Sequence, residues 1–85
     1  MIKIYTTSIC PKCQRLKNHL ELLGIEYKTL DMESPAGRTE LAYNGVFALE
    51  APVLQAGSAF FTSRDIFRGT EIIEELSQYL KGLGV

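Results

Sequence analysis

"IKIYTTSICPKCQRLKNHLELLG", residues 2–24, changes its apolar period partway along, and that change decides the fold. Residues 2–7 are rich in β-branched and aromatic side chains, with Ile2 and Ile4 alternating against Lys3 and Tyr5. A period of two predicts a strand. From Pro11 onward the apolar positions are Cys13, Leu16, Leu20 and Leu23, which form one face of an amphipathic helix. Lys12, Arg15, Lys17, Asn18 and Glu21 lie largely on the other faces. Pro11 suits the first helical position, where an N–H would have no partner, and Gly24 is placed to end the helix. Both cysteines of the chain, Cys10 and Cys13, fall where the strand turns into the helix.

Working outward, "IEYKTLDM" (25–32) alternates Ile25, Tyr27 and Thr29 against polar neighbours and predicts a second strand. Strand, helix and strand in this order make a βαβ unit with parallel strands and a right-handed crossover. In "SPAGRTELAYNG" (34–45), Ser34 is placed as an N-cap, Pro35 at the first helical position and Gly45 as a stop. Gly37 weakens this helix and predicts that it is short. "PVLQAGSAFFT" (52–62) reads as a hairpin around Gly57 and Ser58. "TEIIEELSQYLKGLG" (70–84) puts Ile72, Ile73, Leu76, Leu80 and Leu83 on one helical face, with Thr70 as the cap and Gly82 or Gly84 as the end. The predicted order is β-α-β-α-β-β-α, one α/β domain over residues 1–85 with a four-stranded sheet and three helices.

Composition narrows the function. The 85 residues are 46% hydrophobic and carry a net charge of −1, with no basic run, which argues against binding nucleic acid through its phosphates. No apolar stretch approaches the ~20 residues of a membrane span. "MIKIYTTS" lacks the apolar run and cleavage site of a signal peptide. The expectation is a cytosolic protein, where thiols are kept reduced and a structural disulfide is out of place. A clip across two intervening residues would also restrict the unfolded chain little.

Two other roles for the cysteines remain. With Pro11 as the first helical residue, Cys10 is the N-cap and Cys13 the third helical residue. The Cys10 sulfur then lies beside the free N–H groups of the first turn and the positive end of the helix dipole, both of which favour thiolate. Lys12, and Arg15 one turn on, add positive charge. Cys10 becomes the candidate nucleophile. Cys13, on the apolar stripe, becomes the resolving thiol, and a redox disulfide Cys10–Cys13 is within reach. The rival is a metal grip. One pair supplies two thiolates where a structural zinc wants four ligands, and His19, the only histidine, lies two or more turns away and reads as solvated surface. A cluster shared between two chains stays open as an alternative. No resident metal or prosthetic group is expected.

With the strand "IKIYTT", the motif "CPKC", this element order and "EAPVL" before the hairpin, the chain resembles the glutaredoxin branch of the thioredoxin superfamily, essentially end to end. The resemblance implies a thioredoxin-like fold and a thiol-disulfide oxidoreductase with Cys10 and Cys13 as its catalytic pair. It implies a cis Ala51–Pro52 bond facing that pair, with Ala51 free to pair with an extended substrate segment. It also places Pro11, Lys12, Ala51 and Pro52 in the substrate groove, together with Thr62, Ser63, Arg64 and Asp65 after the last strand. Glutathione-using members carry a basic residue before the motif, where Thr7 stands here. They carry paired glycines where this chain has Thr62 and Ser63, which cannot approach a ligand as closely. Asp65 is then left to meet an amine, and Arg64 or Arg68 a carboxylate.

"APVL" and "FFTSRD" resemble the NrdH-redoxins, glutaredoxin-like hydrogen donors of ribonucleotide reductase that are typically reduced by thioredoxin reductase. The chain has no tryptophan where that branch carries one, and Phe61 stands in its place. The resulting expectation is a monomeric redoxin that reduces a protein disulfide, ribonucleotide reductase being the leading partner. Its electrons would come from thioredoxin reductase or glutathione. The alternatives are a glutathione-dependent glutaredoxin and a metal-binding redoxin.

Overall fold

The amino-terminal run with a period of two becomes β1 (Ile2–Thr6) in a computed structural model that describes residues 2–47 and 50–82. The change of period becomes α1 (Pro11–Leu22). It is followed by β2 (Tyr27–Asp31), α2 (Pro35–Tyr43), β3 (Val53–Ala56) and β4 (Ala59–Phe61). A one-turn helix α3 (Ser63–Ile66), a short ribbon β5 (Phe67–Arg68) and β6 (Glu71–Ile72), and α4 (Glu74–Gly82) complete the order.

The sheet runs β2-β1-β3-β4. β1 pairs parallel with β2 and antiparallel with β3, and β3 pairs antiparallel with β4. Two cores cover its two faces. On one, Ile2, Ile4, Leu54 and Ala56 pack with Leu16 and Leu20 of α1 and Leu76 and Leu80 of α4. On the other, Tyr5 and Val53 pack with Leu41 of α2. Tyr5 lies on β1, an interior strand of the sheet paired on both sides. Its ring is fully buried, and its hydroxyl donates to Gln55 Oε1 at 2.7 Å. Phe60 and Phe61, neighbours on the edge strand β4, face opposite sides of the sheet. Phe60 tilts against Tyr5 on one face, Phe61 against Tyr79 on the other, and both are half-buried.

Helix ends follow local chemistry. At the close of α1, Gly24 takes a φ of +72°, its N–H bonds Glu21 O, and the Ile25 N–H reaches Leu20 O at 2.9 Å. This is the Schellman arrangement, and its apolar contact falls between two core residues, Leu20 and Ile25. At the start of α2, Ser34 Oγ donates to Asp31 O at 2.6 Å and accepts from the Gly37 N–H at 3.0 Å. Gly37 has a second role besides weakening the helix. A Cβ there would overlap the Asp31 carbonyl oxygen, so its absence lets α2 pack against the end of β2.

The last predicted helix starts later than its apolar stripe suggests. Thr70 lies in the two-residue turn between β5 and β6 and is not a cap, because Phe67 pairs with Ile72 and Arg68 with Glu71. The β-branched Ile72 takes the strand, and Ile73 O accepts the first N–H groups of α4. Leu83 and Gly84, read as part of this helix face and its end, lie outside the described residues.

Candidate active site

α1 begins as its sequence dictates. Cys10 is the N-cap, with extended backbone (φ −152°, ψ 92°), and Pro11 occupies the first turn without leaving an N–H idle. The Cys13 N–H donates to Cys10 Sγ at 3.0 Å, so sulfur fills the place usually taken by a serine or aspartate oxygen. The two cysteines are joined as a disulfide, with Cα atoms 5.2 Å apart. Cys10 is half-exposed, whereas Cys13 is 2% exposed and continues into the core through Leu16. A partner therefore has access to the first sulfur and not the second.

Sheet register gathers the other candidates at this end of the molecule. Tyr5 pairs with Val53, so Pro52 comes level with Thr6, the last residue of β1 before the cysteine loop. Leu54 pairs with Phe61, which brings Thr62 level with Val53. The Ala51–Pro52 bond is cis, as the family resemblance implies, and Pro52 is buried while Ala51 is half-buried.

The four residues after β4 fold on themselves. Thr62 is the N-cap of α3, and Asp65 Oδ2 accepts from the Thr62 N–H at 2.9 Å and from the Thr62 hydroxyl at 3.0 Å. That oxygen is thus already bonded within the turn. Ser63 is 5% exposed and turns inward, while Arg64 is exposed. The Lys12 Nζ lies over the Phe67 ring, 5.5 Å from its centre.

Several features had no sequence signal. His19 is not free surface. It is half-buried, and its Nε2 lies 2.7 Å from Oγ of the buried Ser77, tying α1 to α4. An open groove of about 430 Å³ runs beside the end of β1, lined by Thr7, Met32, Arg38, Leu41, Val46 and Phe47 among others. Phe47 is 81% exposed, and Ile9, immediately before Cys10, is 88% exposed. Among the described residues Leu22 and Tyr43 are as exposed as these two. Among the described residues no group of three or more His, Cys, Asp or Glu side chains could hold a metal ion. Among them no helix is long and apolar enough to cross a membrane.

A mixed four-stranded sheet, helices on both faces and a C-x-x-C pair opening the first helix together define a thioredoxin-like protein. The glutaredoxin family model matches residues 2–48, more than half of the chain, and the chain belongs to the glutaredoxin family. A single-substitution mutant of the thioredoxin-like protein BC3987 is 25% identical, with a TM-score of 0.73 over 94% of this chain and 99% of that one. The glutaredoxin-like NrdH-redoxin of Escherichia coli, described by its thioredoxin-like activity profile, is 27% identical, with a TM-score of 0.59 over 72% of this chain and 79% of that one. A glutaredoxin from Archaeoglobus fulgidus shares the fold at 17% identity, with a TM-score of 0.63 over 94% of this chain and 85% of that one. No curated protein matches the sequence.

Proposed function

We propose that this glutaredoxin-family chain is an electron-carrier redoxin that reduces a disulfide on a partner protein through a dithiol cycle. The observation that carries the reading is the Cys13 N–H to Cys10 Sγ hydrogen bond at the head of α1. An N–H aimed at sulfur, at the positive end of a helix, stabilises negative charge on that atom more than it stabilises a neutral thiol. In the reduced protein the Cys10 thiolate attacks one sulfur of the substrate disulfide. A Cys10–substrate bond forms, the substrate S–S bond breaks, and one substrate sulfur leaves as thiolate. Cys13, deprotonated, then attacks Cys10 Sγ. The Cys10–Cys13 disulfide forms, the second substrate sulfur leaves, and two electrons have passed to the substrate. No metal or prosthetic group takes part.

Pro52 and Ala51 shape the groove for an extended segment around the substrate cysteine, with Pro11 and Lys12 on its other side. Ile9 and Phe47 offer apolar contact, which suits a protein partner better than a small thiol. Ribonucleotide reductase is the leading partner and the cytoplasm the expected compartment. For the donor, this reading prefers thioredoxin reductase. What supports it is the state of the turn after β4, where Ser63 is buried and Asp65 Oδ2 is already bonded to Thr62. The thioredoxin-like activity profile of the related Escherichia coli protein points the same way.

The test compares insulin reduction driven by NADPH and thioredoxin reductase with that driven by NADPH, glutathione and glutathione reductase. Turnover with thioredoxin reductase and little with glutathione is expected. Turnover with glutathione alone would reverse the choice of donor. Trapping with a Cys13→Ser variant, which stalls at the Cys10–substrate bond, would then identify the partner.

A further inference from the structure

In the disulfide-bonded protein the Lys12 ammonium rests on an aromatic ring. Its Nζ lies 5.5 Å from the Phe67 centroid, inside the ~6 Å over which a ring face attracts a cation. Cys10 and Cys13 are bonded to one another, so neither sulfur carries charge. Asp65, two residues before Phe67, has Oδ2 committed to Thr62. Phe67 itself is 6% exposed and packs with Ile66 and Leu76, so the ring is a fixed platform and the flexible lysine is the mobile partner. Lys12 is half-exposed and only two residues from Cys10, on a flexible four-carbon stem.

We propose that Phe67 is a positioning residue, parking the Lys12 ammonium while the pair is oxidised and yielding it to the Cys10 thiolate when the pair is reduced. This rests on the reading of Cys10 as the nucleophilic thiolate. Reduction by a dithiol breaks the Cys10–Cys13 bond and turns the reductant into a disulfide. Of the reductant's two protons, one goes to Cys13 and one to solvent, which leaves Cys10 anionic. A full negative charge attracts an ammonium more strongly than a ring quadrupole does. The ring therefore competes with the thiolate for Lys12. It favours the oxidised form, and removing it favours the reduced one. The side chain between the cysteines tunes the pair to an extent set by a residue far along the sequence, at the start of β5.

The experiment reads the ring-current shift of the Lys12 ε-methylene protons by NMR in the wild-type protein, oxidised and then reduced at neutral pH. The ionisation of Cys10 is followed in the same sample by ultraviolet thiolate absorbance. The shift should be present in the oxidised form, diminish on reduction, and persist in reduced Cys10→Ser, which has no anion to draw the lysine away. A shift that survives reduction while Cys10 is ionised overturns the inference and leaves the dithiol reading standing. A shift that survives because Cys10 is not ionised overturns both. Loss of the shift in reduced Cys10→Ser as well overturns the inference, since charge would not be the cause.

Variants give a second readout. Phe67→Leu should raise the Cys10 acidity constant, and the equilibrium preference for the reduced pair, about two- to fivefold, the size of an exposed cation–π contact. Phe67→Tyr, which keeps a ring, should leave both unchanged. In a Lys12→Met background Phe67→Leu should change neither, and an equal change there would mark a packing effect and overturn the proposal.

Discussion

The Cys13 amide donates to Cys10 Sγ across the first turn of α1, at 3.0 Å. One backbone group thus links the two halves of the proposed cycle. It belongs to the resolving residue and holds the charge of the attacking one. Burial separates the roles, since the donor residue is sealed in the core and the acceptor residue is half-exposed.

Cys13→Ser keeps this N–H and removes the second sulfur. The variant should form the bond to substrate at close to the wild-type rate, yet its multiple-turnover insulin reduction should fall to background. Rapid-mix trapping of the mixed disulfide, read beside the turnover assay, checks both halves. Sustained turnover would exclude a dithiol cycle.

Gly37→Ala should destabilise the fold by about 1–3 kcal/mol, the usual range for forcing atoms into a packed site. Helix propensity alone predicts the opposite sign, because alanine favours helix by about 1 kcal/mol over glycine. The overlap with the Asp31 carbonyl decides the sign. Urea unfolding of the two proteins measures it.

Removal of the Asp65 carboxylate by Asp65→Ala should cost about 0.5–2 kcal/mol, as for other lost caps, by freeing the Thr62 N–H and hydroxyl. A carboxylate that serves the turn and not a glutathione amine predicts that Asp65→Ala changes activity with glutathione no more than activity with thioredoxin reductase. Urea unfolding and the assays with both donors, run together, separate the two roles.

Tyr5 gives a pH dependence with a definite sign. Burial, and then the nearby Glu40 charge, raise its phenol above the usual value of 10.0. The unfolded chain therefore loses this proton near pH 10 and the folded chain only at higher pH. The stability contribution is fully present below the unfolded value and falls as pH climbs through the window between the two. Tyr5→Phe should cost about 1 kcal/mol at neutral pH through the lost bond to Gln55, and should flatten the decline above pH 10. Urea midpoints across this alkaline range, with the disulfide intact, check both effects.

How far the sequence could be read depended on how local the controlling interaction was. The α1 stripe of Cys13, Leu16 and Leu20, the caps at Cys10 and Ser34, and the stop at Gly24 are set within one or two turns, and each is found where its pattern places it. His19 was misread because its partner, Ser77, lies 58 residues away, and the bond of Tyr5 to Gln55, across 50 residues, had no local signal either. The start of α4 was misread because Ile72 fits a helical stripe and a strand equally well, and only its pairing with Phe67 decides. In the site, the cysteine pair and the cis proline followed from the motif and its family resemblance. The groove beside Thr7 and the ring beneath Lys12 are assembled from separate elements and had no local signal.

The central claim is that the first turn of α1 holds Cys10 as a thiolate near neutrality, and titration of that thiol in the reduced protein tests it most directly. Ultraviolet thiolate absorbance, with Cys10→Ser to assign the transition, should place Cys10 at least one unit below the ordinary value of ~8.5, with Cys13 above it. A Cys10 that titrates with ordinary acidity, or only after Cys13, would contradict the account.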